Sequence, residues 1–233
     1  MGKRRRFGSE EIQQELTETA SQAFLSVLKD LFTEPKMFDS FDRFASAGFH
    51  LADHSETKIM AGTHKRLKGF IVKKYNNDRS DKEQVRNYMH RIEGARLLRS
   101  FIAENKLQRV VAPQKFLYEL PDAFPGRYLV IAEKFDLMTR RDTERAYDRL
   151  DKEQARELAT ILFYFRGLNS TLANLPFTDD GRIAFIDTER WHHNKDLLRK
   201  VGDRLSAKRL DEVEVVHREL HRQGARPFVS AYK

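Results

Sequence analysis

What most constrains this chain is where its strand-forming runs fall. Lys68-Gly-Phe-Ile-Val-Lys-Lys-Tyr75, Val110-Val-Ala112 with Gln114-Lys-Phe-Leu-Tyr118, and Tyr128-Leu-Val-Ile-Ala132 are dense in β-branched and aromatic residues. Asn76-Asn77-Asp78 closes the first run, and the Pro121 to Gly126 segment turns the chain between the last two. A short run at Lys58-Ile-Met-Ala61 and the aromatic residues Phe38, Phe41, Phe44 and Phe49 extend this texture backwards, and residues 36 to 62 are read as short strands. All the strand signals before the final third of the chain therefore lie between residues 36 and 135.

Helical periodicity fills the rest. Ser9 is a plausible N-cap with Glu10 and Glu11 behind it, and Ile12, Leu16, Ala20, Phe24, Val27, Leu28 and Leu31 follow at helical spacing until Pro35. Asp81 opens a long helix with Val85, Tyr88, Met89, Ile92, Ala95, Leu98 and Ile102 along one side. Asp151 to Phe165 repeats the pattern with Leu158, Ile161 and Leu162, and from about Leu197 the chain reads as basic amphipathic helices. The expectation is an α+β chain with an N-terminal helix over 1–35, a small antiparallel sheet lobe over 36–135 and a helical lobe over 136–233.

Composition sets limits on function. The 233 residues, 40% of them hydrophobic, suffice for two small lobes sharing a cleft. A net charge of +8 draws the molecule towards phosphates and other polyanions. The absence of cysteine excludes disulfides and thiolate metal sites. No stretch reaches the roughly 18 apolar residues of a membrane span. Met1-Gly-Lys-Arg-Arg-Arg6 is followed by no apolar signal core, and Arg6 stands where a myristoylation pattern needs Ser or Thr. A soluble, cytoplasmic protein is expected. Arg140-Arg141, Arg199-Lys200 and Lys208-Arg209 are interspersed with acids and carry no nucleic-acid motif, so they read as a solvated helical surface on which a phosphorylated small anion could dock. His217 and His221 share a helical face without a third ligand and read as part of a solvated basic helix, while His192-His193 follow the single Trp191 and read as packing around it rather than a zinc site.

The chemistry concentrates in Asn169-Ser-Thr-Leu-Ala-Asn174 and Arg182-Ile-Ala-Phe-Ile-Asp187. A hairpin turned by Asp179-Asp-Gly181 brings Asp187 back beside Asn174, so that two oxygen donors face one point, which suits Mg²⁺ or Mn²⁺. The alternative is local, with Asp187 capping a helix and Asn174 closing a turn. Glu189 is a further metal ligand, a support for the loop, or an exposed acid.

In its order of elements the chain resembles the protein-kinase superfamily, in a compact, two-lobed form similar to bacterial effector kinases. Asn169 and Asn174 stand in the interval of the Asp and Asn of the family's catalytic loop, and Asp187 follows at a typical separation for the metal-binding Asp. With Asn169 at the acid's position, Asp179, Asp180 or Glu189 is left as a substitute. Ile186-Asp-Thr-Glu189 is similar to the I-D-x-E form of atypical kinases. Phe70-Ile-Val-Lys73 resembles the strand that supplies the phosphate-binding Lys, and Glu93 in the next helix the acid that holds it; Glu83 is its competitor. Leu129 to Phe135 resembles the strand entering the hinge, whose backbone at Ile131, Ala132 and Glu133 would face adenine.

The resemblance implies an ATP- and Mg²⁺-dependent phosphotransferase acting on a protein or small-molecule acceptor, in the host cytoplasm if the chain is a secreted effector. It departs from the family at two points. Asn169 occupies the position of the catalytic Asp, and no glycine-rich loop precedes Lys73, leaving His64, Lys65 or Arg66 to supply charge. Those departures keep two alternatives open: a nucleotide-binding pseudokinase that acts through protein partners, and a basic polyanion- or nucleic-acid-binding module.

Overall fold

The computed structural model describes residues 22–52, 59–75, 80–124, 126–168, 172–189, 205 and 207–227. They form helices α1 (Gln22–Leu31), α2 (Phe41–Ser46), α3 (Asp81–Glu104), α4 (Arg140–Asp148), α5 (Lys152–Tyr164) and α6 (Ala207–Arg222). The strands are β1 (Phe49–Leu51), β2 (Ile59–His64), β3 (Phe70–Tyr75), β4 (Val110–Val111), β5 (Lys115–Glu119), β6 (Tyr128–Glu133) and β7 (Ile183–Ala184). The mixed α+β composition is as expected. Among the described residues no helix is long and apolar enough to cross a membrane.

The chain divides into two compact units. One holds the residues up to Met89 together with Lys115–Lys134; the other holds His90–Gln114 together with the residues from Phe135 onward. Helix α3 contributes its first part to one unit and its second part to the other.

In the first unit, five strands make an antiparallel sheet in the order β1-β2-β3-β6-β5. Strand alternation puts Met60, Val72, Ile131, Leu129, Phe116 and Tyr118 on one face. That face joins Leu28 and Phe32 from α1 and its C-terminal end, Met37 and Phe38 from a 3-10 turn (Pro35–Phe38), and Phe44 from α2 in one core. Residues 36 to 62 are thus only partly strand, because Ser40 accepts a hydrogen bond from the Arg43 N–H and nucleates α2 where aromatic content suggested extended chain. Close packing there needs Gly62, since a Cβ at that position would lie 2.7 Å from the Phe44 ring.

In the second unit, β4 and β7 form a short parallel pair, Val110 opposite Ile183 and Val111 opposite Ala184. Around it pack Leu98 and Phe101 of α3, Tyr147 of α4, Leu158, Ile161 and Leu162 of α5, and Leu175, Phe177 and Phe185 of the hairpin. Helix α5 starts with a capping box: Asp151 accepts from the Gln154 N–H at 2.7 Å, and the Gln154 side chain accepts from the Asp151 N–H at 2.9 Å. Helix α6 lies on α5 through Val213 and Val216 against Ala155 and Ala159.

Candidate functional site

The polar segment of the second unit is built on a hairpin. A 3-10 turn at Leu172–Asn174 leads into an outgoing arm; Thr178, Asp179, Asp180 and Gly181 turn the chain; and β7 returns. The turn is closed by Thr178 N–H to Arg182 O and Gly181 N–H to Thr178 O, both 2.8 Å, with Gly181 at φ 82°. Backbone bonds run back along it, Ala184 N–H to Pro176 O at 2.8 Å and Ile186 N–H to Asn174 O at 3.2 Å. The last of these sets Asn174 beside the chain at Asp187. The regular strand is shorter than the apolar run Arg182 to Asp187, because β4 offers only two residues for pairing.

Beyond β7 the loop Asp187-Thr188-Glu189 is fastened to α3 at Arg91. The Arg91 guanidinium pairs with Asp187 at 3.3 Å through one terminal nitrogen and with Glu189 through the other. Between the two acids, fully buried Thr188 donates its hydroxyl to the Arg91 carbonyl at 2.6 Å. Asp187 also accepts the Glu189 N–H at 3.3 Å. Arg91 is 9% exposed. Its role is invisible to local reading, since the partners are far apart in sequence and one Arg in a charged helix carries no signal. Glu93 lies two positions further along α3, about 200° around the helix, so it is Arg91 whose side chain meets this loop.

The other anticipated residues sit as follows. Glu93 is half-buried in the second unit and Lys73 half-buried in the first. Lys73 lies beside Ala61 and Val130 in the ladder. Lys74, on the opposite face, is 3% exposed and spent on structure: its ammonium donates to Gly126 O at 2.7 Å and stands 5.5 Å from the centre of the Phe38 ring. Ile131 and Ala132 occupy β6, an interior strand bonded to both β3 and β5, so their main-chain groups serve the sheet rather than a ligand, and Ile131 points into the core. Glu133 is exposed at the end of β6. Asn169 lies outside the described residues, as do Trp191, His192 and His193.

Three groups considered for phosphate or proton chemistry are otherwise engaged. His64 is 8% exposed, and its Nδ1 accepts the Arg66 N–H at 3.1 Å; desolvation, then the neighbouring Arg66 and Lys65 charges, push its pKa down. Arg66 pairs with Asp30 at 2.8 Å. Asp180 accepts hydrogen bonds from Arg182 and Thr178, which hold its carboxyl down to about 2. His217 and His221 pack edge-on against Phe163, and His217 Nε2 lies 3.1 Å from Ala159 O.

No family model matches the chain, and no curated protein matches it in sequence. Among solved structures, the crystal structure of Cex1p aligns over 77% of this chain and 31% of its own, at 13% identity and a TM-score of 0.34. This chain therefore spans about a third of that one. A likeness so remote carries no argument.

Whether a divalent ion fits can be judged from the donors. Asn174, Asp187 and Glu189 are oxygen donors of the right kind. Both carboxylates, however, are already neutralised in part by one guanidinium, and the three side chains Arg91, Asp187 and Glu189 together carry a single negative charge. Among the described residues no group of three or more His, Asp or Glu stands where it could hold a metal. As arranged, these residues do not fit a resident divalent cation.

Proposed function

We propose that this chain is a nucleotide-binding protein of protein-kinase-like design, signalling through bound partners rather than turning over as a metal-dependent phosphotransferase. The observation that carries the reading is the hairpin of the second unit, which sets Asn174 next to the Asp187 loop at the end of a buried apolar strand pair. Asn174 and Asp187 stand in the order and separation of the two metal-holding residues of a protein kinase; with Arg91 already on Asp187, that likeness supports nucleotide binding rather than metal-dependent turnover. The kinase resemblance gives the phosphate-binding charge to Lys73, Lys74 being committed to the core.

Against turnover stands Asn169, whose carboxamide cannot accept a proton from an acceptor hydroxyl. A thermal-shift titration tests the reading. ATP in excess is expected to raise the melting temperature by about 2–8 °C, and Lys73→Ala to abolish the rise without lowering the baseline. No rise with the natural chain, or one that Lys73→Ala leaves intact, sinks it. Indifference to ATP combined with salt-dependent oligonucleotide binding would favour a polyanion-binding module instead.

A further inference from the structure

We propose that Arg91 takes the place of the divalent cation at the Asp187-Thr188-Glu189 loop, so that this chain binds nucleotide without Mg²⁺ or Mn²⁺. The inference rests on the nucleotide reading above and adds its metal requirement.

Geometry makes Arg91 a fixed counter-ion rather than a passing one. Its two terminal nitrogens reach one carboxylate each, Asp187 at 3.3 Å and Glu189 in closer contact. Such a fork matches two acids separated by one residue, and an ammonium could not reproduce it. The Thr188 hydroxyl pins the backbone of the same residue from the opposite side of the loop. Arg91 is therefore held by its side chain and its carbonyl together, and it is nine-tenths shielded from water.

A divalent ion arriving at Asp187 meets three obstacles. It needs near-octahedral oxygens at about 2.0–2.1 Å if it is Mg²⁺. Asp187 Oδ1 already takes both Arg91 and the Glu189 N–H. Expelling the guanidinium would strand a largely buried cation without its partners, while retaining it would put two positive centres against each other. The charge a metal would bring is already present on the polypeptide. The helix that carries it is fastened to the loop that would have held the ion.

The test uses the full chain in two arms. In the first, ATP is titrated by calorimetry in Mg²⁺ and in EDTA; the dissociation constants are expected to agree within about threefold, and a weakening of about tenfold or more in EDTA overturns the proposal. In the second, Mn²⁺ alone is titrated and followed by electron paramagnetic resonance. The natural chain is expected to leave Mn²⁺ free. Arg91→Met is expected to bind it through the two released carboxylates and to lose it again when Asp187→Asn is added.

Binding of Mn²⁺ by the natural chain that Asp187→Asn removes also overturns the proposal. Should ATP fail to bind in either buffer, the nucleotide reading falls and the Mn²⁺ arm decides the role of Arg91 by itself. Should Arg91→Met fail to fold, the two measurements on the natural chain remain decisive.

Discussion

Glu157 shows how one buried acid can organise a loop. It sits on α5 at 8% exposure and accepts the Gln108 N–H at 2.9 Å and the Arg109 N–H at 2.7 Å, closing the approach to β4. Glu157→Ala leaves two backbone donors without acceptors and is expected to cost about 2–4 kcal/mol in urea unfolding, with faster amide exchange at residues 108 and 109. Glu157→Gln, which keeps an acceptor, is expected to cost less.

His64 makes the complementary point about protons. Its folded pKa lies below the ordinary 6.5, so between those two values the unfolded chain binds more protons than the folded one. Stability is then complete above 6.5 and falls as pH drops through that value towards the folded pKa. A pH series of melting temperatures should show the fall, and His64→Gln should flatten it. A profile unchanged by the substitution would refute this assignment.

At the scale of elements, one tight joint is between β2 and α2. Gly62→Ala would bring a methyl to 2.7 Å from the Phe44 ring and 3.0 Å from the His50 carbonyl. A loss of about 1–3 kcal/mol is expected, partly recovered by pairing it with Phe44→Leu, as double-mutant denaturation can measure. This joint also marks the limit of sequence reading. β3, β5 and β6 were legible because β-branched and aromatic residues run together there, and α3 and α5 because their apolar residues keep helical spacing. Residues 35–46 were not, because Phe38, Phe41 and Phe44 signal burial without specifying a period, and the Ser40 cap decided the outcome locally. The hairpin that places Asn174 beside the Asp187 loop was legible from Asp179-Asp-Gly181. Arg91 was not, since nothing near it in sequence indicates that its partners lie on a distant loop. The interior position of Ile131 and Ala132 between β3 and β5 was not legible either, because an apolar run does not tell an interior strand from an edge.

For the molecule as a whole, the question is binding against turnover. Restoring an acid with Asn169→Asp should raise γ-phosphate transfer by about 10²–10⁴-fold if the base alone is missing. The expected outcome is no gain, because Arg91 holds the acids that metal-dependent transfer would need; a large gain in a labelled-phosphate assay would instead mark a disabled transferase.

Neither compact unit is contiguous, and this has a consequence for biosynthesis. Every residue of the first unit has left the ribosome once Lys134 emerges, so its sheet can close early on the nascent chain. The second unit begins at His90 but cannot pair β4 until Ala184 has been made. In that interval Val110 and its buried neighbours have no strand to pair with, and the growing chain is at its most dependent on chaperones.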